Sequence, residues 1–154
     1  MLQMVPKEEL MEMVGSEFGP SEWLEVNQDR INQFADATLD HQFIHVDEDL
    51  AKQTPFGGTI AHGYLSLSLL PHLVTDLTVL PENTIMVVNY GIDRLRFLAP
   101  VKSGSEVRAR VKLLDVTEKG PGRLLIKTEV TLEINGDDKP ALVAETLTMA
   151  VTAG

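Results

Sequence analysis

The run Asp40-His41-Gln42-Phe43-Ile44-His45-Val46-Asp47 places a carboxylate and an imidazole five residues apart, just beyond a helical stretch. Seventeen residues after His45 comes His62-Gly63, where a second helix opens on a glycine. A carboxylate and an imidazole in one loop can hold a single water between them and remove its proton. The amide of a first helical residue has no intrahelical acceptor and points along the positive end of the helix dipole. At Gly63 such an amide can stabilise negative charge growing on a carbonyl oxygen. Each feature also has a plainer reading. Asp40 can be a residue of the helix C-terminal turn, His45 and His62 satisfied polar groups, and Gly63 a tight helix entry.

Other chemistries fit less well. His41, His45, Asp47 and Asp49 offer a second reading as metal ligands, but no HExxH helix or comparably specific spacing supports it. Ser66 and Ser68 lie in an apolar helix without a G-x-S-x-G elbow, which argues against a serine hydrolase. The absence of cysteine removes thiolate catalysis and disulfides. Arg94, Arg96, Lys102, Arg108, Arg110 and Lys112 are candidates for contacting phosphates, or else a solvated sheet face. Asn89 and Tyr90, before Gly91, either support a site or end a strand.

The net charge of −10 argues against general nucleic-acid binding, which needs a basic surface to displace counterions. The charge is uneven: residues 1–93 hold 15 acidic and 3 basic side chains, residues 94–154 hold 8 and 10. An anion-attracting patch, if there is one, therefore belongs to the C-terminal part. The longest apolar stretch, Leu65 to Leu80, is interrupted by Pro71, His72 and Asp76, so no membrane span is expected. Glu8, Glu9 and Glu12 in the first helical segment do not read as a signal peptide, and a cytoplasmic location is the default expectation. At 154 residues the chain reads as one domain, 1–154, large enough for a real core.

The elements that must position these residues follow from periodicity. Pro6 to Val14 reads as a short helix stopped by Gly15, and Ser21 to Val26 as a strand. Asn27 is an N-cap for a helix to about Thr38, with Ile31, Phe34 and Ala35 on one face. Residues 39–62 look irregular. From Gly63 to about Leu77, Leu65, Leu67, Leu69, Leu70, Leu73, Val74 and Leu77 cover so much of a helix that it must be buried, with Pro71 as a bend or joint. The period then becomes two. Thr84 to Tyr90 and Arg94 to Phe97 are strand-like. Val107, Ala109, Val111 and Leu113 alternate with largely polar residues, as do Leu124, Ile126, Thr128, Val130, Leu132 and Ile134. A last strand runs from Leu142 to Thr152, and Glu118 to Gly122 and Asn135 to Pro140 supply hairpin turns. A strand of that length spans roughly 35 Å, enough to curve around one helix. The expectation is an α+β layer architecture with the helix on the concave face of a long antiparallel sheet.

Phe34-Ala35-Asp36-Ala37-Thr38-Leu39-Asp40-His41-Gln42-Phe43-Ile44-His45-Val46-Asp47, with Ala51 beyond it, resembles the hydratase signature of the MaoC-like dehydratases, the (R)-specific enoyl-CoA hydratases. Pro55-Phe56-Gly57-Gly58-Thr59-Ile60-Ala61-His62-Gly63-Tyr64 resembles their segment leading into a central helix, and Arg96-Phe97-Leu98-Ala99-Pro100-Val101 with Gly104 their following strand. The similarity runs from about Gly15 to Thr152 and is strongest to the branch named after nodulation protein N. The resemblance implies a hot-dog fold and a homodimer with active sites near the subunit interface. It also implies hydration of trans-2-enoyl-CoA to (R)-3-hydroxyacyl-CoA, with no cofactor besides the coenzyme A of the substrate. By motif position Asp40 and His45 are then the catalytic pair; the working hypothesis makes Asp40 the proton acceptor and His45 the group that orients the water and relays a proton, a division that the sequence leaves open. Gly63 supplies the oxyanion amide. Leu39, Gln42 and Phe43 stand where glycine, asparagine and proline are usual, which bears on loop shape and acyl-chain preference. A silent acyl-CoA-binding protein and an acyl-CoA thioesterase are the alternatives. The second is disfavoured because Asp76 is the only acid between Gly63 and Leu77.

Overall fold

Two long hairpins dominate the computed structural model, which describes residues 2–153. The elements run β1 (Gln3–Val5), α1 (Lys7–Glu12), β2 (Glu17–Phe18), β3 (Leu24–Val26), α2 (Gln28–Thr38), α3 (Phe43–Val46), α4 (Glu48–Ala51), α5 (Gly63–Ser68), α6 (Leu70–Val74), a 3-10 turn (Thr75–Leu77), β4 (Val79–Pro81), β5 (Thr84–Phe97), β6 (Ser105–Gly120), β7 (Arg123–Ile134) and β8 (Leu142–Thr152). The main sheet has the order β2-β6-β7-β8-β5 and is antiparallel, with β3 pairing further along the β6 edge that β2 also covers. β1 and β4 form a separate parallel pair.

The alternating residues of β6 and β7 do turn inward. Val107, Ala109, Val111 and Leu113 are buried opposite Ile134, Leu132, Val130 and Thr128. A register shift between Leu113 and Asp115 then changes the parity, so that Val116 rather than Asp115 faces the core. Leu65, Leu70 and Leu73 of α5 and α6 pack into this concave face in one cluster with Val26 and Ile31. Asn27 caps α2 as its position suggests, its Oδ1 accepting from the Arg30 N–H at 2.9 Å.

The joint expected near Pro71 is present: the central helix is two short helices meeting at Leu69, because Pro71 has no N–H to give to the preceding turn. Other expectations are corrected. The central helix is not sealed all round: Leu67, Leu69, Val74 and Leu77 are only partly buried, and Tyr64 is 67% exposed. Residues 39–62 are less irregular than their composition, since α3 and α4 each add one turn. The two strands expected between Thr84 and Phe97 are one, with register shifts at Asn89/Gly91 and Ile92/Arg94 taking up the irregularity. The strand expected over Ser21 to Val26 is shorter, Leu24–Val26.

β5 is exposed on both faces. Ile85, Met86, Val87, Val88, Tyr90 and Ile92 all face solvent, although residues of one parity in a strand of a two-layer fold should be covered. β5 pairs with β8 alone among the described residues, so its outer edge is open.

Candidate functional site

The end of α2 sets the first group. Its last residues are followed by Leu39 in the left-handed conformation (φ 64°, ψ 21°), which turns the chain so that Asp40 leaves the helix at once. The Asp40 Oδ1 accepts from the backbone N–H of Gln42 at 3.3 Å, a local bond that orients the carboxylate. Gln42 does this with its main chain, and its side-chain amide makes no hydrogen bond among the described residues.

α3 carries the second group. His45 is buried, and its Nδ1 lies 2.7 Å from the carbonyl oxygen of Ile60. A carbonyl can only accept, so Nδ1 carries the proton and the neutral ring keeps its lone pair on Nε2. Burial holds the His45 pKa below the usual histidine range. The Ile60 bond opposes that, a charged His62 would reinforce it, and Asp40 opposes it more weakly. The segment 59–61 that supplies this carbonyl is itself tied on both sides. Ile60 N–H donates to Ile44 at 3.0 Å, Ala61 N–H to Val101 at 2.7 Å, and Ser103 N–H to Thr59 at 3.0 Å.

Gln28 is a supporting residue that sequence reasoning missed. Its Nε2 donates to the carbonyl oxygen of His45 at 2.7 Å and its Oε1 accepts from the Thr59 hydroxyl at 2.6 Å. It therefore locks α2, α3 and the segment before α5 together. Nothing local signals this, because its partners are 17 and 31 residues away.

Gly63 opens α5 directly after that segment. A Cβ built on it would lie 3.0–3.1 Å from ring carbons of Phe97, closer than carbon atoms normally approach, so only glycine fits without moving the ring. Because α5 has six residues, its dipole is small and the free amide itself is the useful group.

The structure brings Asp40, His45 and His62 together: one oxygen or nitrogen of each lies within 4.8 Å of the others. A water donating to two acceptors at about 2.8 Å each spans roughly 4.6 Å between them. A separation of at most 4.8 Å puts Asp40 and His45 within the reach of one bridging water. A chelated cation fits less well. The His45 and His62 rings are stacked, 3.8 Å between centroids and 23° between planes. A metal about 2 Å from one nitrogen in its ring plane lies off the plane of the other. The other ligand set considered from sequence is not assembled, since His41 pairs with Asp36 at 2.9 Å and Asp47 caps α4 through Leu50 N–H.

Of the six basic candidates, Arg108 and Arg110 both donate to Glu133 at 2.9 Å, and Arg108 lies 4.2 Å over the Trp23 ring. The Arg96 guanidinium bonds the carbonyl of Leu95. Arg94, Lys102 and Lys112 keep uncommitted ammonium or guanidinium groups among the described residues, and Lys102 forms a bridge with Ile60 under the site.

A cavity of about 830 Å³ lies beside α5 and α6, lined by Leu67, Ser68, Val74, Val111, Val130 and Thr146 among others. It does not reach Asp40, His45 or Gly63. It begins at Leu67, about one turn further along the helix that Gly63 opens.

The model of the MaoC-like domain matches residues 9–136. The chain belongs to the MaoC-like family. The MaoC-like chain is 49% identical over 138 residues to nodulation protein N of Rhizobium leguminosarum bv. viciae, covering 88% of this chain and 85% of the relative. It is 42% identical over 139 residues to 3-hydroxyacyl-thioester dehydratase Z of Mycobacterium tuberculosis, covering 90% and 91%. Among solved structures, an R-hydratase from Pseudomonas aeruginosa superposes with a TM-score of 0.70 at 26% identity, covering 99% of this chain and 89% of that one. The hot-dog architecture expected from sequence, an antiparallel sheet with a central helix, is the fold of this MaoC-like chain. Two of these relatives are named as a dehydratase and a hydratase, and the chain is a member of a hydro-lyase family.

Proposed function

We propose that this protein hydrates trans-2-enoyl thioesters of coenzyme A to (R)-3-hydroxyacyl-CoA. The observation that carries the reading is the approach of Asp40 and His45 to within a water's span, with the His45 tautomer fixed by Ile60 so that Nε2 presents a lone pair. A water donating one hydrogen to Asp40 and the other to Nε2 has its oxygen lone pairs left for attack on C3. Asp40 takes the proton as the C3–O bond forms, and electron density moves through C2 to the thioester oxygen, which the Gly63 N–H stabilises. The proton then returns from Asp40 to C2 on the same face, leaving the pair as it began. His45 holds and orients the water rather than relaying a proton, because its other nitrogen is committed to Ile60.

The acyl chain runs from Gly63 along α5 to the cavity at Leu67, about 6 Å away by helix rise. Lys102 and Arg94 are the candidates to meet the coenzyme A phosphates, and no separate cofactor is needed. The working unit is a homodimer. The open apolar edge of β5, exposed on both faces, supports pairing with a second copy. Its end at Phe97 lies against Gly63, so a dimer formed on β5 would bring the site beside the interface.

Crotonyl-CoA with chiral analysis of the product tests the reading. Loss of enoyl absorbance with formation of (R)-3-hydroxybutyryl-CoA is expected. Binding without conversion would identify a silent acyl-CoA-binding protein, and release of free thiol a thioesterase.

A further inference from the structure

His62 is the one member of the cluster to which the hydration chemistry gives no task. It is 2% exposed, yet its contacts reach every part of the site. The Nε2 lies 3.0 Å from the backbone carbonyl oxygen of Asp40, so it must donate there. One ring face stacks on His45, and the ring also meets Phe34 of α2 at 4.9 Å and 56°. The His62 carbonyl accepts from Leu65 and Ser66 N–H at 3.0 and 3.2 Å, which starts the helix whose first residue is Gly63. With Nε2–H given to Asp40, Nδ1 is left as an acceptor, and it is buried with no partner. A buried, unpaired polar atom is normally selected against, and a phenylalanine or leucine would fill the same space without it. The retained imidazole points to a role that an apolar ring does not fill.

We propose that His62 is a positioning residue for the hydration reaction. Its N–H fixes the carbonyl and hence the carboxylate of Asp40, its ring face fixes the plane of His45, and its main chain fixes the Gly63 amide. One residue thus sets the three reacting groups relative to each other, its side chain acting on Asp40 and His45 and its main chain on Gly63. The inference rests on the hydratase reading, since it assigns His62 to that chemistry. The titratable groups facing His45 are His62 and Asp40, while α2 presents Phe34 and Gln28 and the segment 59–61 only backbone.

Three variants separate the contacts. His62→Phe keeps a ring to stack on His45 and loses the donor to Asp40. His62→Gln keeps an amide donor and loses the ring. His62→Ala loses both. With crotonyl-CoA and folded protein confirmed by circular dichroism, kcat should fall about 10- to 100-fold in His62→Phe while KM stays within about threefold, and His62→Gln should recover part of the loss seen in His62→Ala. In the wild type, nitrogen-15 NMR should find the His62 ring protonated on Nε2 alone. Unchanged kcat in all three variants, a rise in KM with constant kcat, or a His62 ring protonated on Nδ1 would each overturn the inference while leaving the hydratase reading standing. Failure of the wild type to hydrate any enoyl-CoA would overturn both.

Discussion

Replacing Gly63 by alanine tests the site's geometry where the structure is tightest. The added Cβ would lie 3.0 Å from the Phe97 Cε1 and 3.1 Å from its Cδ1 and Cζ. Ordinary carbon contacts are about 3.5–4.0 Å, so the ring must retreat by roughly half an ångström or more. Phe97 is 49% exposed, which lets it move, so the cost falls at the low end for overpacking, about 1 kcal/mol. Alanine is favoured over glycine in a helix by about 0.5–1 kcal/mol, which offsets most of this. Stability should therefore change by less than about 1 kcal/mol in urea unfolding. Activity should not be spared, because the displaced ring and the new methyl sit against the residue whose amide meets the thioester. Misplacements of this size cost up to about 100-fold, and kcat/KM for crotonyl-CoA is expected to fall about 10- to 100-fold. Adding Phe97→Leu should relieve the contact and restore part of that loss, a positive coupling in the double-mutant cycle. Activity of Gly63→Ala within twofold of wild type, or a loss that Phe97→Leu does not relieve, would refute the reasoning.

Leu39 is 81% exposed and sits at φ 64°, so Leu39→Gly removes a strained backbone without losing burial and should raise the urea midpoint by the equivalent of about 1 kcal/mol or less. A lower midpoint would show that Leu39 has contacts beyond this chain. Val88→Lys places a charge on the open face of β5 and should shift the mass measured by light scattering from two chains to one, with loss of turnover; an unchanged mass would remove β5 from the dimer interface. His45 is buried and its pKa is lowered, so the unfolded chain binds the extra proton first as pH falls. Its contribution to stability is complete above the unfolded value of about 6.5 and is lost as pH drops from there toward the folded value. Urea midpoints between pH 8 and 5 should consequently fall more steeply for wild type than for His45→Gln, and parallel curves would contradict the assignment.

Periodic features of the chain were readable before the structure. The N-cap at Asn27 and the buried alternation of Val107 to Leu113 and Leu124 to Ile134 are dictated by side-chain direction, which the strand and helix repeats expose directly. The two-residue and three-residue strands β1, β2 and β4 show no period to read, and they are held by pairing with distant partners. One-turn helices such as α3 and α4 are likewise too short for a periodic signal. At β5, Asn89-Tyr90-Gly91 reads as a break because glycine and asparagine interrupt the pattern, whereas the strand absorbs them in bulges. The central helix reads as buried on all sides because apolar content says nothing about what covers each face. The cavity beside Leu67 and Val74 leaves part of it open. In the site, the spacing of Asp40, His45 and Gly63 was legible, and their convergence was not. That depends on Gln28 and on the Ile60 carbonyl, whose contacts are long-range, and on the stacking of His62 upon His45.

The central claim is that Asp40 and His45 together hold the attacking water and that Asp40 deprotonates it. Steady-state hydration of crotonyl-CoA by Asp40→Asn and His45→Gln measures it most directly. Both substitutions keep side-chain size and hydrogen-bonding capacity, so the fold should persist. The account predicts that each lowers kcat/KM by about 100-fold or more with unfolding midpoints little changed. Wild-type rates in both variants would contradict it.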